Sequence, residues 1–116
     1  MLVIRHEQME AFAAQARMDF ERAAAADLAG IYPDECRNLG ASMLNAFVRQ
    51  GVAKALRYGI DRDQDILSYL YLAMENGETF DQDPAFAPCA SILADSSLDG
   101  QAKIDLMYEL LETFEE

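Results

Sequence analysis

Three alternate aspartates, Asp61, Asp63 and Asp65, reproduce the opening of a calcium-binding loop, where closely spaced oxygens serve a hard cation that takes about six to eight of them. The remainder of that loop is missing. Ile66 stands where its glycine belongs and Leu72 where a bidentate glutamate closes the shell, so a helix cap followed by first-turn acids is the better account of the triplet. A second acidic set, Asp81, Asp83, Asp95 and Asp99, has the residue type needed for acid and base work or for holding magnesium. These four lie among turn residues, where aspartate bonds its own backbone, and turn and cap duty is expected of them. His6 is the sole histidine and has no nucleophile signature beside it; Ser42, Ser68, Ser91, Ser96 and Ser97 lie in no G-x-S-x-G setting. Neither glycine-rich phosphate cradle is present. Cys36 and Cys89 form no C-x-x-C pair and have no second cysteine or histidine nearby, which predicts two reduced, buried thiols. The residues therefore name no reaction, no metal site and no cofactor, and a non-enzymatic protein is expected.

What stands out is charge. Residues 1–62 carry eight Lys+Arg and eight Asp+Glu, whereas residues 63–116 carry one and thirteen, so the whole net charge of −12 lies in the second half. An acidic half favours a basic partner and repels phosphate, and Lys103 alone makes no track for a nucleic acid; no nucleic-acid partner is expected. The N-terminal Met1-Leu2-Val3-Ile4 is followed at once by Arg5 and Glu7, unlike the apolar run of a signal peptide, and no stretch reads as a membrane span. A cytoplasmic protein with no membrane partner is the expectation.

Positioning these residues falls to helices punctuated by glycine and proline. At 116 residues and 52% apolar content the chain suits one domain, residues 1–116, folding without staples. Met9, Phe12, Ala16, Phe20 and Ala23 fall on one stripe of a first helix over 7–28, with Gly30 as its stop. Pro33 with Asp34 and Glu35 opens a short second helix that Gly40 closes. A third spans 42–58, with Leu44, Phe47, Val48, Val52, Ala55 and Leu56 as its apolar face and Gly59 as its end; Gly51 inside it signals a close approach by another group. Asp61 and Gln64 suggest a capping box for a fourth helix bearing Ile66, Leu67, Tyr69, Leu70, Ala73 and Met74 and ending at Gly77. Asp83-Pro84 starts a turn, Pro88 a short helix to Ala94, and a last helix capped near Asp99 runs over 101–114 with Ile104, Met107, Leu111 and Phe114 on one stripe. The result is an all-α single-domain bundle of five to six helices. Leu2 to Ile4 is left as either a short extended arm or a piece of core.

For a binding surface the candidates are aromatic and acidic. Tyr69 and Tyr71 lie two apart on one helix and point different ways, so one belongs to the core and the other to the surface. Met9, Met43, Met74 and Met107 fall on apolar helix faces and read as core filling. Glu109, Glu112, Glu115 and Glu116 crowd the C-terminal end of the last helix, where carboxylates meet the negative end of the macrodipole, an arrangement that a partner's basic surface would relieve. The interface candidates are therefore Tyr71, Phe80, Phe86, Tyr108, Glu112 and Glu115.

Tyr32-Pro33, the run from Gly51 to Ile60 (GVAKALRYGI), Phe80-Asp-Gln-Asp-Pro84 and Ile92-Leu-Ala-Asp95 together resemble small helical proteins of bacterial type VI secretion clusters. Those proteins are encoded beside Tap-type adaptor chaperones, PAAR-tip proteins and toxic effectors. The resemblance implies a co-adaptor, or co-chaperone, that binds an adaptor chaperone and through it supports loading of an effector onto the PAAR spike. It transfers no catalytic or binding residue. The alternative drawn from the same charge is an immunity protein whose acidic face neutralises a cognate toxin.

Overall fold

The computed structural model describes the backbone of residues 6–115 and the side chains of residues 14–112. Leu2 to Ile4 and the side chains of Met9, Phe12, Phe114 and Glu115 lie outside the described residues. Six α-helices follow one another: α1 (His6–Ile31), α2 (Pro33–Leu39), α3 (Ala41–Arg57), α4 (Asp63–Asn76), α5 (Ala87–Ala94) and α6 (Gly100–Glu115). Two 3₁₀ turns, Phe80–Gln82 and Pro84–Phe86, join α4 to α5, and no strand occurs among the described residues. The protein is all-α. By its internal contacts the chain divides into two compact units, Met1–Val48 and Arg49–Glu116, with the boundary inside α3.

In the first unit α1 packs against α2. Its buried line is Ala24 and Leu28, continued by half-buried Phe20, a strict four-residue step. Ala16 and Ala23, expected on that stripe, are exposed, because alanine is indifferent to which face it occupies and the larger Leu28 fixes the buried direction. Gly30 does not stop α1, which continues through Ile31 until Pro33 takes over. Pro33 starts α2 with Asp34 and Glu35 in its first turn, and Gly40 at φ 81° ends it, its N–H bonded to the Cys36 carbonyl. On the α3 side Leu44, Phe47 and Val48 are buried, while Met43, expected in the core, is 60% exposed.

The second unit holds the larger core. Val52 and Ala55 of α3 are buried, but Leu56, one step further round the helix, is 41% exposed and so leaves the expected apolar face. Gly51 is needed: a Cβ there would overlap Cδ2 of Leu70, which is itself fully buried on α4. The N-cap of α4 is Arg62, with no side-chain cap bond, so the expected Asp61/Gln64 capping box is absent and only Asp63 and Asp65 serve as first-turn acids. At the other end Gly77, at φ 106°, closes α4 as anticipated. Tyr69, Leu70, Phe80, Leu93 and Met107 are among the fully buried side chains of this unit, contributed by α4, the first 3₁₀ turn, α5 and α6. α5 packs on α6 and on the Phe80–Gln82 turn, and α6 also packs on α4. α4 and α6 run in the same direction, since Arg62 reaches Gln101 at 3.2 Å near one end and Tyr108 reaches the Ser68 carbonyl at 3.5 Å further on. Among the described residues no helix is long and apolar enough to cross a membrane.

Candidate functional site

Two buried polar devices lock this second unit before any surface is considered. Asp81, expected in turn duty, has a side chain only 1% exposed and is paired with Lys54 Nζ at 3.1 Å, while the Tyr58 hydroxyl donates to its other oxygen at 2.6 Å. Lys54 also donates to the Glu78 carbonyl at 3.2 Å. Asp81 thereby ties α3 to the Phe80–Gln82 turn. Burial and the Asp81 hydrogen bond and charge push the Tyr58 phenol up to about 12, and Tyr69, buried deeper and near the same carboxylate, moves further in that direction. The Tyr69 hydroxyl has no hydrogen-bond partner among the described residues.

Lys103 is the second device. It is 5% exposed and donates to the Tyr58 carbonyl at 2.6 Å and the Leu93 carbonyl at 2.8 Å, joining the C-terminal ends of α3 and α5, where helix dipoles favour a cation. The other three aspartates of the second acidic set do serve turns. Asp83 accepts from the Ala85 N–H at 2.9 Å, Asp95 from the Ser97 N–H at 2.9 Å, and Asp99 from the Ala102 N–H at 2.8 Å. The Ser97 hydroxyl and N–H hold the Asp95 carboxyl below its ordinary range. No group of three or more acidic, cysteine or histidine side chains among the described residues is placed to hold a metal ion. Cys36 and Cys89 are free and buried, and burial raises both thiols.

With Lys103 and Asp81 both inside, the outer surface of residues 63–112 carries carboxylates and no Lys or Arg. Against that background one hollow gathers three of the six interface candidates. Phe86, Tyr108 and Glu112 meet with Leu72, Glu75, Asn76 and Leu111 around a space of about 310 Å³ bounded by α4, α6 and the Pro84–Phe86 turn. Each element has a reason to deliver its residue. Positions 72, 75 and 76 share one face of α4, and 108, 111 and 112 share one face of α6, as three- and four-residue spacing requires. Phe86 is held by an edge-on contact with buried Phe80 at 6.4 Å, and Phe80 leans on Tyr69 at 5.5 Å. Asn76 Nδ2 donates to the Leu72 carbonyl at 2.9 Å, which fixes the amide at the rim. Burial and the Glu75 charge raise the Tyr108 phenol, so it stays protonated.

Of the other candidates, Phe80 is 1% exposed and supports Phe86 from within the core, so the surface role expected of it does not hold. Tyr71 is half-buried and does not line the hollow, although the expected split from fully buried Tyr69 is present. The Glu115 side chain lies outside the described residues. Glu75 and Asn76 were missed in the sequence, where nothing marks α4 and α6 as neighbours. A second hollow of about 270 Å³ adjoins on the far side of Tyr108, lined among others by Arg62, Asp65, Gln101 and Asp105. Chemically, the first hollow offers apolar and aromatic walls, two carboxylates and an amide, a set suited to binding. Comparison with family models, curated proteins and solved structures finds no match for the chain.

Proposed function

We propose that this protein is a non-enzymatic binding module that docks a basic surface of a larger protein against the acidic face of α4 and α6. The observation that carries the reading is the hollow itself, in which half-buried Phe86 and Tyr108 line one space with Glu75 and Glu112, in a stretch, residues 63–112, whose one Lys or Arg is the buried Lys103. Aromatic anchors with a charged rim are the usual composition of an interface centre. The sequence resemblance to type VI co-adaptors supplies the partner: an adaptor chaperone, and through it an effector and PAAR tip. In this role the protein holds the adaptor ready for loading in the cytoplasm.

The test is co-expression with an adaptor chaperone encoded in the same secretion cluster, with affinity capture at low and at high salt. The expected complex forms at low salt and weakens as the rim charges are screened beyond about 10 Å. No capture at low salt removes the reading. Rescue of cells expressing a toxin domain alone, without adaptor binding, replaces it with the immunity role.

A further inference from the structure

We infer that the hollow where the ends of α3 and α5 meet the first turn of α6 binds an aliphatic carboxylate, as a free acid or as the C-terminal end of a peptide. It goes beyond the docking face and does not depend on it, for this hollow shares no residue with the two along α4 and α6. The space, about 350 Å³, is lined by Arg57 and Lys103 and by no Asp or Glu, on a chain whose net charge is −12. Lys103 is pinned by the Tyr58 carbonyl at 2.6 Å and the Leu93 carbonyl at 2.8 Å, and among the described residues it has no ion pair. An ammonium has three donors, so one N–H is left over. Arg57, exposed in the last turn of α3, has no hydrogen bond or ion pair among the described residues. Because Lys103 already answers the carbonyl ends of α3 and α5, the Arg57 charge is in excess at this end of the fold. Asp95 is close enough to feel Lys103, but Ser97 holds its carboxylate through both hydroxyl and N–H, and it does not line the hollow.

The walls set the class of ligand. A guanidinium is a planar fork that matches a carboxylate with two parallel hydrogen bonds, and the Ser96 hydroxyl lines the same space as a further donor. Leu93, Ala94 and Leu98 add an aliphatic side, against which a short hydrocarbon chain would lie. Inorganic phosphate fits worse, because its larger charge meets more repulsion from a strongly acidic molecule and gains nothing from the apolar wall. One side of the hollow is set before any ligand arrives. A Cβ on Gly100 would come within 2.9 Å of Ile60 Cα and 3.0 Å of the Gly59 carbonyl, so only glycine lets α6 sit directly on the turn that lines the space.

The test titrates the ¹⁵N-labelled full chain with 4-methylpentanoate, with its neutral amide, with N-acetyl-leucine as the mimic of a peptide end, and with inorganic phosphate. Saturable shifts at Gly59, Ser96 and Leu98 are expected with 4-methylpentanoate at a dissociation constant of about 1 mM, and none with the amide. N-acetyl-leucine separates the two sources: tighter binding than the free acid assigns a peptide terminus, and weaker binding assigns a free acid. Arg57→Gln should weaken binding about tenfold, the loss of one charge-assisted pair, with the circular dichroism unchanged. Arg49→Gln, which removes the same charge from an exposed position outside the hollow, should leave binding unaltered. Leu98→Ser should erase the preference for 4-methylpentanoate over acetate. Equal response to the amide, phosphate bound as tightly as the acid, or Arg49→Gln as damaging as Arg57→Gln overturns the inference, as does the absence of saturation with either acid. Each of these results leaves the docking of an adaptor on α4 and α6 to its own test.

Discussion

Replacing Asp81 with alanine tests the claim that a buried ion pair, and not packing alone, holds the Phe80–Gln82 turn in place. The carboxylate accepts from Lys54 at 3.1 Å and from Tyr58 at 2.6 Å, and its side chain is 1% exposed. Removing one member of such a pair generally costs about 3 to 5 kcal/mol, because the surviving charge is left without compensation. Here the lower end applies: the Lys54 side chain is 15% exposed and keeps the Glu78 carbonyl, so water can reach part of what Asp81 abandons. A loss of about 3 kcal/mol is a large share of the roughly 5 to 15 kcal/mol that holds a typical domain folded. With a urea slope of about 1.5 to 3 kcal/mol per molar, the midpoint should fall by roughly 1 to 2 M. The assay is urea unfolding followed by helicity, with Asp83→Ala as the comparison, since that exposed cap bond is worth about 1 kcal/mol. Adding Lys54→Met to Asp81→Ala should recover part of the loss by removing the stranded ammonium. If Asp81→Ala unfolds at the same urea concentration as Asp83→Ala, the pair contributes no more than a surface cap and the reasoning fails.

Alkali should unfold the protein through its phenols. Tyr58 binds its proton more tightly in the folded state, so its contribution is complete below the unfolded value of about 10 and is lost as pH rises toward about 12; melting temperatures between pH 8 and 12 should show the fall, and Tyr58→Phe should move it to higher pH. Gly51→Ala should lower stability by about 1 kcal/mol, because overpacking against buried Leu70 at about 1 to 3 kcal/mol outweighs a helix-propensity gain of about 1 kcal/mol. Thermal melts of Gly51→Ala with and without Leu70→Val check this, the pair being less harmful than the sum of the two. Lys103→Met should cost about 2 to 4 kcal/mol by leaving the Tyr58 and Leu93 carbonyls without their donor, read by the same urea titration.

Helix boundaries were legible at most of the residues that act on their own backbone, Gly30 and Asp61 being the exceptions. Pro33, Gly40, Gly77, Pro84 and Asp99 each stop or start an element where their chemistry says they should, with no help from the rest of the chain. Burial was legible in outline and not at its edges. Periodicity locates an apolar stripe, but the limit of the stripe depends on which neighbours arrive, so Leu56 and Met43 fell outside it and Ala24 fell inside. Asp81 was misread because its composition is that of a turn while its partner Lys54 lies 27 positions away, a distance no local rule spans. The hollow was half visible. Phe86, Tyr108 and Glu112 were marked by aromatic character and by crowded acid at a helix end, whereas Glu75 and Asn76 became part of it only through the pairing of α4 with α6.

The chain has just two lysines, Lys54 and Lys103, and both have their ammonium groups engaged and largely sheltered. Amine-directed crosslinkers will therefore pass over α4 to α6 almost entirely, and a mass-spectrometric map built on them would record silence where contact is closest. Trypsin meets a similar obstacle: after Arg62 its sole cleavage point is the hidden Lys103, so residues 63–116 should survive as one long peptide while the protein is folded. Coupling chemistry aimed at carboxylates is the probe that this surface will answer.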